Sequence, residues 1–397
     1  MPKYFVDLHV HIGATENNIP VKITASRKLT FKNILQECLS RKGIEIVGIV
    51  DCASPEVQKE IEGYIAAGTL KELPGGGLRY KDCLSFMMGV EIESRETNGG
   101  KGHFISYFPT LEQLRSYSNF LSHSIKNLNL STQQCYLSAA KLLQATEESR
   151  GFFFPAHAFT PYKSLFGSCG ASLREIFGYK YGKVKIIELG LSADTQMANI
   201  LEDLHDITFL SNSDAHSLEK IGREYNIIQM SEPSYDALEK ALYKIEGKVV
   251  ANYGLNPTLG KYYRNYCEDC QKTFTEFTGA CPWCFGTNIV KGVYDRLQEI
   301  GKPGKNIIAV RRPPYFYQVP LSFLPKIGPK TINKLIDRFG TEMNVLHNAN
   351  YNDIAETAGM QIADLIVRAR EGKLMITPGG GGSYGKIVQG EGSNSGL

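Results

Sequence analysis

The sequence predicts an α/β barrel that gathers metal ligands at the ends of its strands, followed by a small four-cysteine zinc module and an all-α domain. Three observations predict it. Over residues 1–255, short apolar runs alternate with helical patterns, and run after run stops at a carboxylate or an imidazole. A doubled C-x2-C motif comes next, and then apolar helices separated by Gly and Pro turns.

A chain of 397 residues with 42% hydrophobic content can bury a large core and divides here into segments 1–255, 256–318 and 319–397. Met1-Pro2-Lys3-Tyr4 runs straight into a strand with no leader pattern, and no run of eighteen apolar residues occurs. A cytoplasmic, nucleoid-associated protein with no membrane partner is therefore expected. Five of the nine cysteines are scattered and four are clustered, which suits a reducing compartment better than a disulfide framework. Residues 256–330 hold eleven Lys/Arg against five Asp/Glu, leaving 33 against 36 elsewhere. A basic middle beside a slightly acidic body points to a polyanionic partner.

The first strand, Lys3-Tyr4-Phe5-Val6-Asp7-Leu8-His9-Val10-His11, alternates so that Asp7, His9 and His11 share a face. Two imidazoles two residues apart on one strand can reach one metal ion. Residues 29–42 follow as a helix with a stripe of Phe31, Ile34, Leu35, Cys38 and Leu39. The basic loop before it carries Lys22, Ser26 and Arg27, which are expected to contact phosphate. The apolar run 44–50 ends at Asp51, 84–90 at Glu91, 152–156 at His157 and 184–187 at Glu188. His103 opens the strand 104–108, and 207–210 leads into Asp214-Ala215-His216. Helices are expected at 132–147 and 193–204. Five of the eight histidines (His9, His11, His103, His157, His216) fall at strand ends, the arrangement by which a parallel α/β barrel builds one active-site mouth.

The set His9-x-His11, Asp51, Glu91, His103, His157 and Asp214-x-His216 resembles the PHP (polymerase and histidinol phosphatase) superfamily, in the family's order over residues 4–230. The resemblance implies a seven-stranded barrel holding a multinuclear cluster of divalent metal (zinc, manganese, iron or magnesium) that hydrolyses phosphoesters. Those eight residues are the expected ligands, with Glu91 bridging and Asp214 orienting the attacking water. Where the family has Asp-His after the second strand this chain has Asp51-Cys52, so Cys52 is either a ligand or an inert side chain. Glu93 and Glu188 are expected to support imidazoles or form the rim.

Cys267, Cys270, Cys281 and Cys284 form C-x2-C-x10-C-x2-C, which places four thiolates around one structural zinc. Cations and aromatic rings interleave on either side, in residues 261–266 and again in the run of Arg311, Arg312 and three aromatics up to Tyr317, a pattern suited to phosphates and unpaired bases. Lys326-Ile327-Gly328-Pro329-Lys330 leads into an apolar helix and resembles a helix-hairpin-helix turn, which offers backbone N–H groups at a helix start to a DNA phosphate. A weaker copy follows at 354–370. Residues 378–386 read as a flexible linker or a loop closing on phosphate, and 389–397 as disordered.

This order of segments resembles the endonuclease Q family. That implies a DNA repair endonuclease cutting 5′ to a deaminated base (uracil, hypoxanthine, xanthine) or an abasic site, with the lesion flipped into a pocket beside the metals. Gly13 and Ser168 lie in glycine-containing segments expected to offer backbone donors to that base. A small-molecule phosphoesterase of histidinol-phosphate or nucleotide type, and a non-catalytic DNA-binding or polymerase-associated factor, are the alternatives. No motif indicates a replication clamp as partner.

Overall fold

The computed structural model describes residues 1–275, 279–301 and 310–388; the expectation for 389–397 lies outside them. The strands are β1 (Lys3–Val10), β2 (Ile46–Ile49), β3 (Leu70–Glu72), β4 (Leu78–Tyr80), β5 (Leu84–Arg95), β6 (Lys101–Phe108), β7 (Phe152–Pro155), β8 (Ile186–Glu188) and β9 (Thr208–Leu210). Then come β10 (Tyr225–Gln229), β11 (Lys248–Gly254), β12 (Asn265–Cys267), β13 (Lys272–Phe274), β14 (Ile289–Val290), β15 (Tyr315–Tyr317), β16 (Met375–Thr377) and β17 (Lys386–Val388). Seven strands lie in a ring in the order β1, β2, β5, β6, β7, β8, β9, the first five paired in one sheet and β8 with β9 in another that individual backbone contacts join to it. Ala158 N donates to Glu188 O (2.9 Å) between β7 and β8, and Ala215, just past β9, bridges Val10 of β1.

All seven ring strands contribute to one inner core: Val6 and Leu8, Ile46, Met87, Ile105 and Tyr107, Phe152 and Phe154, Ile186, Leu210. The helix Tyr235–Leu242 packs on this core through Tyr235, Leu238 and Leu242. The opposite face of β2, Val47 and Ile49, packs with Phe31, Ile34, Leu35, Val57 and Ile61, so the strand is apolar on both sides because it is covered on both. The helix Phe31–Glu37 starts where the Thr30 side chain accepts from Asn33 N, and it passes into a π-helical turn over Cys38–Lys42.

The barrel is not all parallel. β6 runs antiparallel to β5 and to β7, and β5 continues through Glu91 to Arg95, pairing Glu93 with His103. The carboxylates at 91 and 93 resemble a strand stop, yet Val90 and Ile92 keep the period of two and both are buried. The expected helix 132–147 is shorter, Ala139–Glu148, because residues 131–133 are drawn onto the barrel mouth, and the expected helix 193–204 is reduced to Thr195–Ala198 and a separate turn at Glu202–Leu204.

β12, β13 and β14 form a small sheet that carries the four cysteines, and β15 returns to the barrel sheet parallel to β11. The C-terminal helices are Pro329–Phe339, Glu342–His347, Tyr351–Ala358 and Met360–Arg370. The glycine run is a packed loop closing the β16–β17 hairpin, not a free linker. Among the described residues no helix is long and apolar enough to cross a membrane.

Glu224, next to β10, is fully buried; one oxygen accepts from Leu255 N (2.8 Å) and the other has no partner. Burial pushes its carboxyl up to about 8 from 4.5, against the pull of Leu255 N–H and Arg223. The native state therefore keeps a proton that the unfolded chain releases above 4.5, so this group's stabilisation is complete below that pH and is lost as pH rises towards 8. Glu224→Gln is expected to flatten that fall, read as urea midpoints between about pH 5 and pH 8. A variant whose midpoint falls as steeply as the parent's would exclude Glu224 as the source.

Candidate metal centre

The strand ends bring two sets of side chains together. His9, His11 and Asp214 hold ligand atoms within 4.8 Å of one another, and so do Glu91, His103 and His157. The sets face each other. His9 Nε2 lies 3.4 Å from Glu91 Oε1 and 3.5 Å from Asp214 Oδ1, and His11 Nε2 lies 3.5 Å from Glu91 Oε2 and 3.4 Å from Asp214 Oδ1.

The far nitrogens are pinned from behind. His9 Nδ1 is 3.0 Å from Glu188, which Asn212 Nδ2 holds at 2.8 Å, and His11 Nδ1 is 3.0 Å from Asp51. The Nε2 atoms of His9, His11 and His103 are buried without a hydrogen-bond partner among the described residues. Three orphaned imidazole nitrogens are costly unless another group satisfies them. Imidazoles oriented by carboxylates and mixed with carboxylate donors are the ligand chemistry of divalent transition metals, so the residues fit a metal cluster.

Asp214 and His157 have φ values of +46° and +31°, a region that non-glycine residues seldom adopt. Arg223 holds the Asp214 turn by donating to Ser213 O (2.6 Å) and Asp214 O (3.3 Å). Burial opposes ionisation of Glu91, but Lys22 and His103 outweigh it and hold its carboxyl well below the usual range. Burial likewise opposes ionisation of Asp214, and His9, His11 and His216 outweigh it. Both groups are anionic donors.

His216 joins this mouth, its ring centroid 4.5 Å from that of His11. Asp51 takes a place other than the expected one. Its oxygens face Ile12 N (2.6 Å), His11 Nδ1 and the Ser131 hydroxyl, so it stands behind His11. Cys52 is buried, and its thiol points to Ile49 O (3.2 Å). Glu93 lies 3.5 Å from His103 Nε2 and pairs with Lys101 and Lys163.

Lys22 reaches the mouth, where its Nζ lies 3.1 Å from Glu91 Oε2. Ser26 N donates to His216 O (2.8 Å), which sets the exposed Arg27 beside the same mouth. The expected donors Gly13 and Ser168 are already used. Gly13 N bonds Leu29 O, a β-carbon there would lie 2.0 Å from Ser26 O, and Ser168 N bonds Ser164 O.

Arg311 and Arg312 are not brought to the site. They border a hollow with Thr208 and Lys248, where β9 and β11 begin, the opposite end of β9 from Asp214. Arg312 donates to the carbonyls of Leu204 and Ile207 and to Asn199, and its guanidinium lies 3.8 Å over the Phe209 ring, a structural role. Lys326, Gly328 and Lys330 are exposed at the start of the helix Pro329–Phe339, and Gly328 caps it without a side chain. Cys267, Cys270, Cys281 and Cys284 cluster as a further metal-binding group, with Sγ pairs 3.6 Å apart.

Sequence reasoning missed Thr132, which donates to Glu91 Oε2 (2.7 Å), and Arg223, since neither stands at a strand end. It also missed Tyr162 and Tyr384, which join Tyr262 of the expected aromatic run 261–266 in lining a second hollow of about 280 Å³ that opens on His103, His157 and Asp214.

A family model described as PHP-associated matches residues 194–245. The uncharacterized protein YqxK of Bacillus subtilis (strain 168) is 44% identical over 98% of this chain and 100% of its own length. The uncharacterized protein MJ0043 of Methanocaldococcus jannaschii is 34% identical over 75% of this chain and 38% of its own. The lesion-specific endonuclease PfuEndoQ from Pyrococcus furiosus is similar in structure, with a TM-score of 0.83 and 30% identity over 97% of this chain and 95% of that one. Endonuclease Q in complex with a 27-mer duplex bearing an abasic lesion at its active site gives the same TM-score of 0.83 and 30% identity, over 98% and 97% of the two chains.

Because Glu188 fixes the His9 ring, Glu188→Gln is expected to weaken metal affinity of the barrel site by about 10–100-fold while the four-cysteine site keeps its ion. Competition with a chelator, read by elemental analysis, checks this. An unchanged barrel-site affinity would show that Glu188 does not orient a ligand.

Proposed function

Since the chain belongs to the endonuclease Q family, we propose that it is a metal-dependent DNA repair endonuclease that hydrolyses the phosphodiester 5′ to a deaminated base (uracil, hypoxanthine or xanthine) or an abasic site. The observation that carries the reading is the convergence of three unpartnered imidazole nitrogens with the Glu91 and Asp214 carboxylates, beside a hollow of about 280 Å³. A pocket just under the usual range of about 300–1,000 Å³ suits one flipped nucleotide rather than a strand.

His9, His11, Glu91, His103, His157, Asp214 and His216 are the residues that would hold the cations, with Asp51 and Glu188 setting the rings. Divalent ions held there supply an activated water and neutralise charge on the phosphodiester. Asp214, anionic and fixed by Arg223, accepts a hydrogen bond from the attacking water and aligns it. Lys22 sets a positive charge at the rim where the phosphate's negative charge builds up.

The four thiolates of the small module hold zinc and supply folding energy that its few buried residues cannot. Lys326, Gly328 and Lys330 grip the duplex backbone without reading sequence. A small-molecule phosphoesterase would leave that exposed basic helix start without a role.

Asp214→Asn is expected to abolish nicking of uracil, hypoxanthine and abasic duplexes while duplex binding stays within about threefold of the parent. Single-turnover cleavage at the parent rate would remove Asp214 from the mechanism, and a parent that nicks none of the panel would end the nuclease reading. Separately, Gly328→Pro deletes one backbone donor and should weaken binding of damaged and undamaged duplex alike, by about fivefold. A loss confined to damaged DNA would contradict the backbone grip.

A further inference from the structure

The run Pro378-Gly379-Gly380-Gly381-Gly382-Ser383-Tyr384-Gly385 looks like a spacer by composition, yet its backbone passes close against neighbouring segments. Gly379 N donates to Thr258 O (2.8 Å), Gly385 N to Leu259 O (2.9 Å) and Gly382 N to Lys261 O (3.3 Å). A β-carbon at Gly379 would lie 2.6 Å from Gly260 O, at Gly385 2.3 Å from Thr377 O, and at Gly381, where φ is +58°, 2.4 Å from the Tyr266 ring. Glycine is required because this backbone passes against other backbone and against a ring of the four-cysteine module.

The loop carries Tyr384 to the metal mouth. With Tyr162 and Tyr262, its half-buried ring lines the hollow that opens on His103, His157 and Asp214. Lys261 Nζ lies 4.7 Å from the Tyr384 ring centroid, and Tyr162 meets Tyr262 edge to face at 6.0 Å. Arg223 donates to Tyr384 Oη (3.3 Å) with the guanidinium that also holds Asp214 O. The ring is thus fixed at two points, by the strap on one side and by a residue of the metal mouth on the other.

We propose that the glycine-rich loop is a strap that holds Tyr384 as the face on which the flipped base stacks, so that Tyr384 favours lesions that still carry a base over abasic sites. The proposal rests on the endonuclease reading. An aromatic face beside a cation accepts any base, because every base presents a π-face, and it gains nothing from a sugar without a base. The phosphate would lie towards the metal ligands and the base among the tyrosines. The hydroxyl of Tyr384 serves to position the ring through Arg223.

The test uses the full chain carrying Asp214→Asn, with binding to uracil, abasic and undamaged duplexes followed by fluorescence anisotropy. Adding Tyr384→Ala should weaken uracil-duplex binding by about tenfold and the other two by less than about twofold. Adding Tyr384→Phe, which restores the ring, should recover uracil binding to within about threefold. Tyr384→Leu, which keeps apolar bulk without a π-face, should behave like Tyr384→Ala, and it stands in if the alanine variant does not fold. An equal loss on all three duplexes, or none on uracil, would overturn the proposal. If the unmodified chain nicks no lesion, the endonuclease reading itself has failed. If it nicks them and the preference for uracil over abasic duplex survives Tyr384→Ala, only the strap's role has failed.

Discussion

The rest of the structure depends on two buried imidazoles whose outer nitrogens are pinned by carboxylates from distant parts of the chain. Glu188 lies 179 residues from His9 and Asp51 lies 40 from His11, so each pair forms only once distant strands have come together, β2 beside β1 for Asp51 and β8 across from β1 for Glu188. With Nδ1 fixed in each case, Nε2 must face the mouth, where Glu91 and Asp214 stand 3.4–3.5 Å away. Closed packing of the strands holds both rings in that orientation.

The same constraint decides the local electrostatics. Glu91 and Asp214 sit between imidazoles and near Lys22, and the surrounding positive charge overcomes the cost of burial for both. Away from the mouth the balance reverses, and Glu224, buried with a single N–H donor, is pushed up to about 8. Burial alone therefore does not identify the functional carboxylates; the number of facing cationic or potentially cationic groups does.

Much of this was legible in the sequence because strand ends with ligand-type side chains recur, and recurrence at the ends of separate apolar runs is hard to produce without a shared mouth. The barrel with one ligand-bearing mouth followed from that pattern, its seven strands from the family resemblance, and the four-cysteine cluster from the spacing of the cysteines. Residue type did not reveal direction. Asp51 ends its run as expected, yet its oxygens turn to Ile12 N and His11. Arg312 looked like a phosphate contact, but its guanidinium is satisfied by carbonyls because β15 carries it to the far end of the barrel. The linker alternative for the glycine run fails for a related reason: composition cannot distinguish a glycine needed for freedom from one needed for closeness, and here Thr258, Leu259 and Tyr266 impose closeness.

The helical domain sits at an offset from the metal mouth. Buried contacts set the offset. Lys42, at the end of the first helix of the barrel, places Nζ 2.7 Å from Glu342 Oε2 and 2.8 Å from Glu219 O, while Glu342 Oε1 accepts from Leu321 N at 2.8 Å. Tyr225 of β10 meets His347 at 2.6 Å, and β15 extends the barrel sheet just before the helical domain begins. A buried ion pair of this kind adds little net stability but penalises any other docking angle, because a shifted domain would leave a buried charge unpaired. The exposed helix start at Gly328 and the ligands at Asp214 are therefore tied into one frame by buried contacts on the barrel side and the helical side alike.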